Sequence, residues 1–184
     1  MNKELFDLAS WAVETAKMAG AAASRAEISR ERSVEIGYRQ QKPENIKEAA
    51  KRTLNMEVFV DGRYSGQTTS DLRREALKKF IADAVASTRL LAEDPFRSLP
   101  DPRYYQGRSE KDLELNDPEY NGYTPEERHA TAKVLESACL QAGGDKVISV
   151  TSSVQDGFTE SVLLASNGVL GYQASTYYLS LAEM

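Results

Sequence analysis

Histidine is the residue most often asked to hold zinc or move protons, and this chain has one, His129. It stands in Glu126-Glu127-Arg128-His129, at the start of a helical pattern, which places it on an exposed first turn. A hydrolytic zinc site needs about three protein ligands, so a His-Glu-x-x-His or His-Glu-x-x-x-His helix is ruled out. Cys139 is the only cysteine. It falls on the predicted buried side of the same helix, where it serves as a small core residue rather than a nucleophile beside a base. No Gly-x-Ser-x-Gly occurs, and Ser65-Gly66 and Ser166-Asn167-Gly168 read as turn chemistry. Gly62 and Gly66 lack the Gly-Lys-Ser/Thr ending of a phosphate loop. Asp112, Glu114, Asp117 and Glu119 cluster without the alternating ligands and central glycine of a calcium loop, and read as a solvated acidic stretch. The sequence therefore yields no catalytic, cofactor-binding or metal-ligating residue.

Bulk properties narrow the field further. The chain has 184 residues, a net charge of −5 and 41% hydrophobic residues, the balance of a soluble globular protein. Lys and Arg are scattered among acids, and Arg73-Arg74 and Lys78-Lys79 fit a solvated helix face, so no nucleic-acid partner is expected. One cysteine allows no internal disulfide, which fits a reducing compartment. Met1 to Phe6 lacks the apolar core of a signal peptide, and no apolar run approaches the ~20 residues of a membrane span. The expected location is cytoplasmic, with no membrane partner.

Periodicity places the elements. Leu5, Leu8, Ala9, Ala12, Val13 and Ala16 make an apolar stripe on a helix over Lys3–Met18, stopped by Gly20. Ala26 to Arg39 alternates and reads as a long strand with one wet face. A loop around Pro43 precedes a strand from Leu54 to Val60. Asp61-Gly62 is a tight hairpin, and Arg63–Thr69 returns with a bulge or close approach at Gly66. A second helix spans Asp71 to Ala92, its apolar face running from Leu72 to Leu91.

Five of the six prolines fall between residues 95 and 125 and mark a connector. Thr124-Pro125-Glu126-Glu127 opens a third helix with a capping box; Leu135, Ala138, Cys139 and Ala142 form its predicted buried face, and Gly143-Gly144 ends it. Strands at Lys146–Gln155, Phe158–Ser166 and Val169–Leu181 follow, joined by turns at Asp156-Gly157 and Asn167-Gly168. The predicted fold is α+β: an antiparallel sheet with packed helices, in two αβββ-like lobes, 1–94 and 125–184, flanking a connector at 95–124. Tyr104-Tyr105 in the connector is the candidate partner contact. The apolar strand reaching Met184 leads us to expect a longer natural protein.

These features carry a resemblance. Asn55 to Gly66 followed by Thr68-Thr69-Ser70-Asp71-Leu72 is similar to the first-lobe hairpin of the TldD/PmbA family. Ser33-Val34-Glu35-Ile36, Leu99-Pro100-Asp101-Pro102 and Ala165-Ser166-Asn167-Gly168-Val169-Leu170-Gly171-Tyr172 also fit it. The resemblance implies a two-domain subunit pairing with a homologous subunit into a closed dimer. It implies a zinc peptidase that trims peptides, modified precursors among them, with its His-Glu-x-x-x-His motif in a later domain. It implies that this chain is the non-catalytic N-terminal part, shaping the substrate chamber and dimer interface, with zinc held elsewhere. Two alternatives stay open: an inactive partner subunit of the same family, and a free-standing peptide-binding module.

Overall fold

In the computed structural model, residues 2–109 and 111–184 are described; Met1 and Glu110 lie outside them. The α-helices are α1 (Lys3–Met18), α2 (Arg74–Thr88) and α3 (Pro125–Gly143). The strands are β1 (Ala23–Arg39), β2 (Lys42–Val60), β3 (Arg63–Thr69), β4 (Thr151–Ala165) and β5 (Leu170–Glu183), in sheet order β3-β2-β1-β4-β5. This is the expected α+β class with an antiparallel sheet. Contacts divide the chain into two compact units that interleave along the sequence. Residues 1–30, 51–112 and 160–173 form the first; residues 31–50, 113–159 and 174–184 form the second.

In the first unit, Asn2 caps α1 by accepting from the backbone N–H groups of Glu4 and Leu5. The stripe Leu5, Ala9, Ala12, Val13 and Ala16 is buried, as its spacing predicts. Alanines let the helix lie close to Ile28, Leu54, Met56 and Val58 of the sheet and to Leu77, Ile81 and Val85 of α2. Each large aliphatic side chain so buried contributes roughly 1.5–3 kcal/mol.

The Asp61-Gly62 turn has positive φ at both residues, 49° and 71°, the twist a two-residue hairpin needs. The β2–β3 register runs unbroken from Leu54↔Thr69 to Val60↔Arg63, so Gly66 carries no bulge. Its missing Cβ instead leaves room for the Tyr64 hydroxyl, which would lie 3.3 Å from it. Helix α2 is shorter than its apolar pattern. Asp71 is occupied by its bonds to Arg73 N–H and guanidinium, and beyond Thr88 the side chains of Leu90 and Leu91 are exposed.

Glu160 on β4 is a buried polar anchor of this unit. It accepts from Asn2 Nδ2 at 3.0 Å and Tyr172 Oη at 2.9 Å, and pairs with Arg30 Nε at 2.5 Å. Burial pushes its carboxyl up, but the Tyr172, Asn2 and Arg30 contacts together hold it below the usual glutamate range. A carboxyl depressed on folding stabilises above its unfolded pKa, about 4.3, and that stability is lost as pH falls through the folded value. Urea titrations from neutral to acidic pH should therefore show Glu160→Gln weaker at neutrality but losing less on acidification than the native chain. Parallel curves would contradict this assignment.

In the second unit, α3 starts on the predicted capping box: Thr124 Oγ1 accepts from Glu127 N–H, and Glu127 Oε2 accepts from Thr124 N–H. Its buried face differs from the predicted one. Arg128, Ala132 and Glu136, spaced i, i+4, i+8, face inward, while Ala138 and Ala142 are exposed and Leu135 and Cys139 half-buried. The polar pair goes in because each finds partners there. Arg128 meets Asp156, and Glu136 accepts from Gln41 N–H and Gln41 Nε2, both at 2.9 Å. Those bonds, with Tyr38 Oη donating to Gln41 O, hold a β1–β2 turn whose Gln40 and Gln41 both have positive φ. No turn signal marks Gln-Gln, so the sequence places a loop and a later strand start at Leu54 where β2 begins at Lys42.

The expected Asp156-Gly157 hairpin is absent. β4 runs straight through both residues, giving two strands after α3 rather than three. Asp156 is fully buried, bound by Arg128 and Tyr120. The Asn167-Gly168 turn forms as expected, with φ 89° at the glycine.

Candidate functional site

Helix α3 and the turn before it frame a cleft of about 360 Å³ in the second unit. Val34 and Ile36 of β1 and Ile46 of β2 supply its apolar side. Alternation along the strands adds Arg32 and Glu48 on the same face, joined by a 2.9 Å bond from Arg32 Nε to Glu48 Oε1. The facing wall is Tyr123, Thr124, Arg128 and His129.

A buried network fixes that wall. Arg128 donates to both carboxylate oxygens of Asp156, at 2.6 and 2.7 Å, and through Nη1 to Tyr123 O at 2.7 Å. Its guanidinium also lies over the Tyr123 ring, 4.4 Å from the centroid. Tyr120 Oη donates to Asp156 Oδ1 at 2.8 Å. Burial first, and then that bond to a carboxylate, push the Tyr120 phenol up to about 12. The bond to Asp156 likewise holds the Arg128 guanidinium above its ordinary range. Arg128 is thus spent on structure, and its charge is not offered to a ligand.

His129 is not on an exposed turn. Because Arg128 faces inward, its neighbour is half-buried beside the Tyr38 ring, with centroids 6.4 Å apart. Its Nδ1 is buried and has no hydrogen-bond partner among the described residues. Cys139 lies ten residues along α3, half-buried. Among the described residues no three His, Cys, Asp or Glu side chains converge to hold a metal. One imidazole and one carboxylate, His129 and Glu48, fall short of the three ligands a zinc centre needs. The cleft has the chemistry to bind, with an apolar platform, a hydrogen-bonding ring and mixed charge.

Other side chains of types that can do chemistry serve as fasteners. Ser65 Oγ shares a hydrogen bond with Thr88 Oγ1, and Ser166 Oγ accepts from Ser24 N–H. Asp117 receives Tyr178 Oη at 2.6 Å, and its own N–H donates to Thr176 Oγ1. This ties the acidic stretch to β5 and holds the Asp117 carboxyl low. The 3-10 turn Pro102–Tyr105 leaves Tyr104 exposed, with the Arg103 guanidinium over its ring. A second, shallow groove of about 490 Å³ in the first unit runs between Leu99–Pro102 and Ser166-Asn167.

Sequence reading gave Arg128, Asp156 and Tyr120 no part in a site, placing Arg128 on an exposed first turn and Asp156 in a hairpin. The only hint was an Arg-x₃-Ala-x₃-Glu spacing down one side of α3, which reads equally as a wet face. Val34 and Ile36 were legible as strand residues; Ile46, in a stretch read as loop, was not, and neither was a cleft over the three.

Comparison with known proteins gives this geometry a context. Residues 26–88 match the first domain of the PmbA/TldA metallopeptidases. The chain is 29% identical over 182 residues to the metalloprotease PmbA homolog of Haemophilus influenzae, covering 97% of this chain and 39% of that protein. It thus spans about two fifths of the length of that relative. The structure is similar to that of a candidate modulator of DNA gyrase from Bacteroides thetaiotaomicron, at 31% identity and TM-score 0.92, over 98% of this chain and 41% of that one. TldE from Thermococcus kodakarensis shares the fold at 15% identity and TM-score 0.77, over 92% of this chain and 37% of that one. No helix among the described residues is long and apolar enough to cross a membrane.

Proposed function

We propose that the chain, whose residues 26–88 match the first domain of the PmbA/TldA metallopeptidases, is the non-catalytic front part of a cytoplasmic peptidase subunit of that family. On this reading it shapes the chamber that receives peptides and helps pair the subunit with a homologous one. Zinc and hydrolysis belong to a later domain, where metal-activated water would attack the peptide bond. The observation that supports this is the asymmetry of the match: 97% of this chain against 39% of the Haemophilus relative. The supply of one histidine and one cysteine, fewer imidazole and thiolate donors than most zinc hydrolases use, favours a site in a later domain. An inactive partner subunit of the same architecture is the second reading, because it needs the same front part.

The test is metal analysis and peptidase assay of the 184-residue chain, alongside reading the coding DNA past the codon for Met184. We expect no stoichiometric zinc and no cleavage by the chain alone. One tightly held zinc per chain would overturn the proposal. A continuing frame with a His-Glu-x-x-x-His helix would favour the catalytic subunit, and one without it the partner.

A further inference from the structure

On the strand wall of the cleft beside α3, one cation and one anion stand side by side. Arg32 Nε and Nη2 both bond Glu48 Oε1, at 2.9 and 2.8 Å. That leaves Glu48 Oε2 and Arg32 Nη1 outside the pair. The two side chains are 59% and 42% exposed, so water weakens their attraction and neither is committed to the fold. Two residues away along each strand the wall turns aliphatic, with Val34 on β1 and Ile46 on β2, and Ile36 beyond them. Ile46 is 60% exposed, an apolar surface that water still reaches. The half-buried His129 ring borders the same space.

We infer that this cleft is a binding site for a free apolar α-amino acid of about the size of leucine. The ligand's carboxylate would accept from Arg32 Nη1, and its ammonium would donate to Glu48 Oε2, both charge-assisted bonds. Its side chain would cover Ile46 and fill the space beside Val34 and Ile36. Adjacency of the charges is what selects this ligand. Arg32 and Glu48 touch, so a molecule that answers both must carry both signs on neighbouring groups. An α-amino acid carries them on one carbon, whereas a peptide holds its two termini apart by the chain between them. The cleft's volume of about 360 Å³ lies at the small end of the ~300–1,000 Å³ typical of ligand pockets.

A phosphate or nucleotide is the poorer occupant, although the start of α3 borders the cleft. Pro125 brings no N–H there, Thr124 Oγ1 already accepts from Glu127 N–H, and Arg128 is bound to Asp156. A phosphate would meet Arg32 alone, with the Glu48 carboxylate beside it. The inference concerns binding only and stands apart from the peptidase reading.

The test is an NMR titration of the isotope-labelled 184-residue chain with L-leucine. Saturable shifts centred on Arg32, Ile36, Ile46, Glu48 and His129 are expected, with a Kd of about 1 mM or tighter. N-acetyl-leucine, which lacks the ammonium, and leucinamide, which lacks the carboxylate, should each bind about tenfold more weakly or worse. Glycine, without the apolar side chain, should do the same. Glu48→Gln should weaken leucine about tenfold but leave N-acetyl-leucine unchanged, a split that a merely structural role for Glu48 would not produce. No saturable shift up to ~10 mM leucine would overturn the proposal. Equal binding of leucine and its blocked forms would do so too. Dileucine binding as tightly as leucine would also overturn it, by assigning the cleft to one end of a peptide.

Discussion

Asp156→Asn should destabilise the chain by about 3–5 kcal/mol, because it leaves a buried guanidinium without its counter-charge. The Arg128 side chain is 3% exposed and that of Asp156 is not exposed at all, so water cannot compensate. The replacement keeps the shape but turns one oxygen into a donor facing the donors of Arg128. Tyr120 Oη shares the same carboxylate, so the loss reaches a third residue. Urea unfolding of the 184-residue chain measures it. The double replacement Arg128→Met with Asp156→Leu should lose less than Asp156→Asn alone, since a buried ion pair exchanged for apolar groups is often near neutral. A loss below about 1 kcal/mol for Asp156→Asn would show that the pair is not the anchor described.

Gly157→Ala, one residue on, should cost about 1–3 kcal/mol through overpacking. A Cβ there would come to 2.8 Å of the Arg32 carbonyl oxygen on β1 and closer still to the Tyr177 ring of β5. The ring could turn aside; the carbonyl belongs to a sheet strand and would have to carry its backbone with it. The same denaturation experiment reads this, with Gly168→Ala as a contrast. Gly168 has open space around it, and its cost comes from its φ of 89° rather than from contact. Equal losses at the two positions, or none at Gly157, would contradict the packing account.

Both residues show where local reading failed. Asp-Gly after an alternating run is a strong hairpin signal, and at Asp61-Gly62 it was right. At Asp156-Gly157 the same dipeptide lies inside β4, because Arg128 and Tyr120 bind the aspartate and the glycine admits a close crossing. Those partners lie 28 and 36 residues away in the chain, beyond any local window. The same holds for α3. Its apolar residues suggested a buried face that the structure leaves largely wet, because Arg128 and Glu136 find charged and amide partners inside.

The sequence by itself determined the elements whose signals are local. The α1 stripe, the Thr124–Glu127 capping box, the Asp61-Gly62 and Asn167-Gly168 turns and the bounds of β3 all stand as read. It also fixed the supply of imidazole and thiol ligands at one each, His129 and Cys139. Tertiary structure decided the rest: that β2 starts at Lys42 rather than Leu54, that Asp156 is a buried anchor, and that His129 lines a cleft. Each depends on which distant groups meet. A polar side chain's free energy of burial changes sign with the presence of a partner, and no property of the residue or its neighbours in sequence encodes that partner.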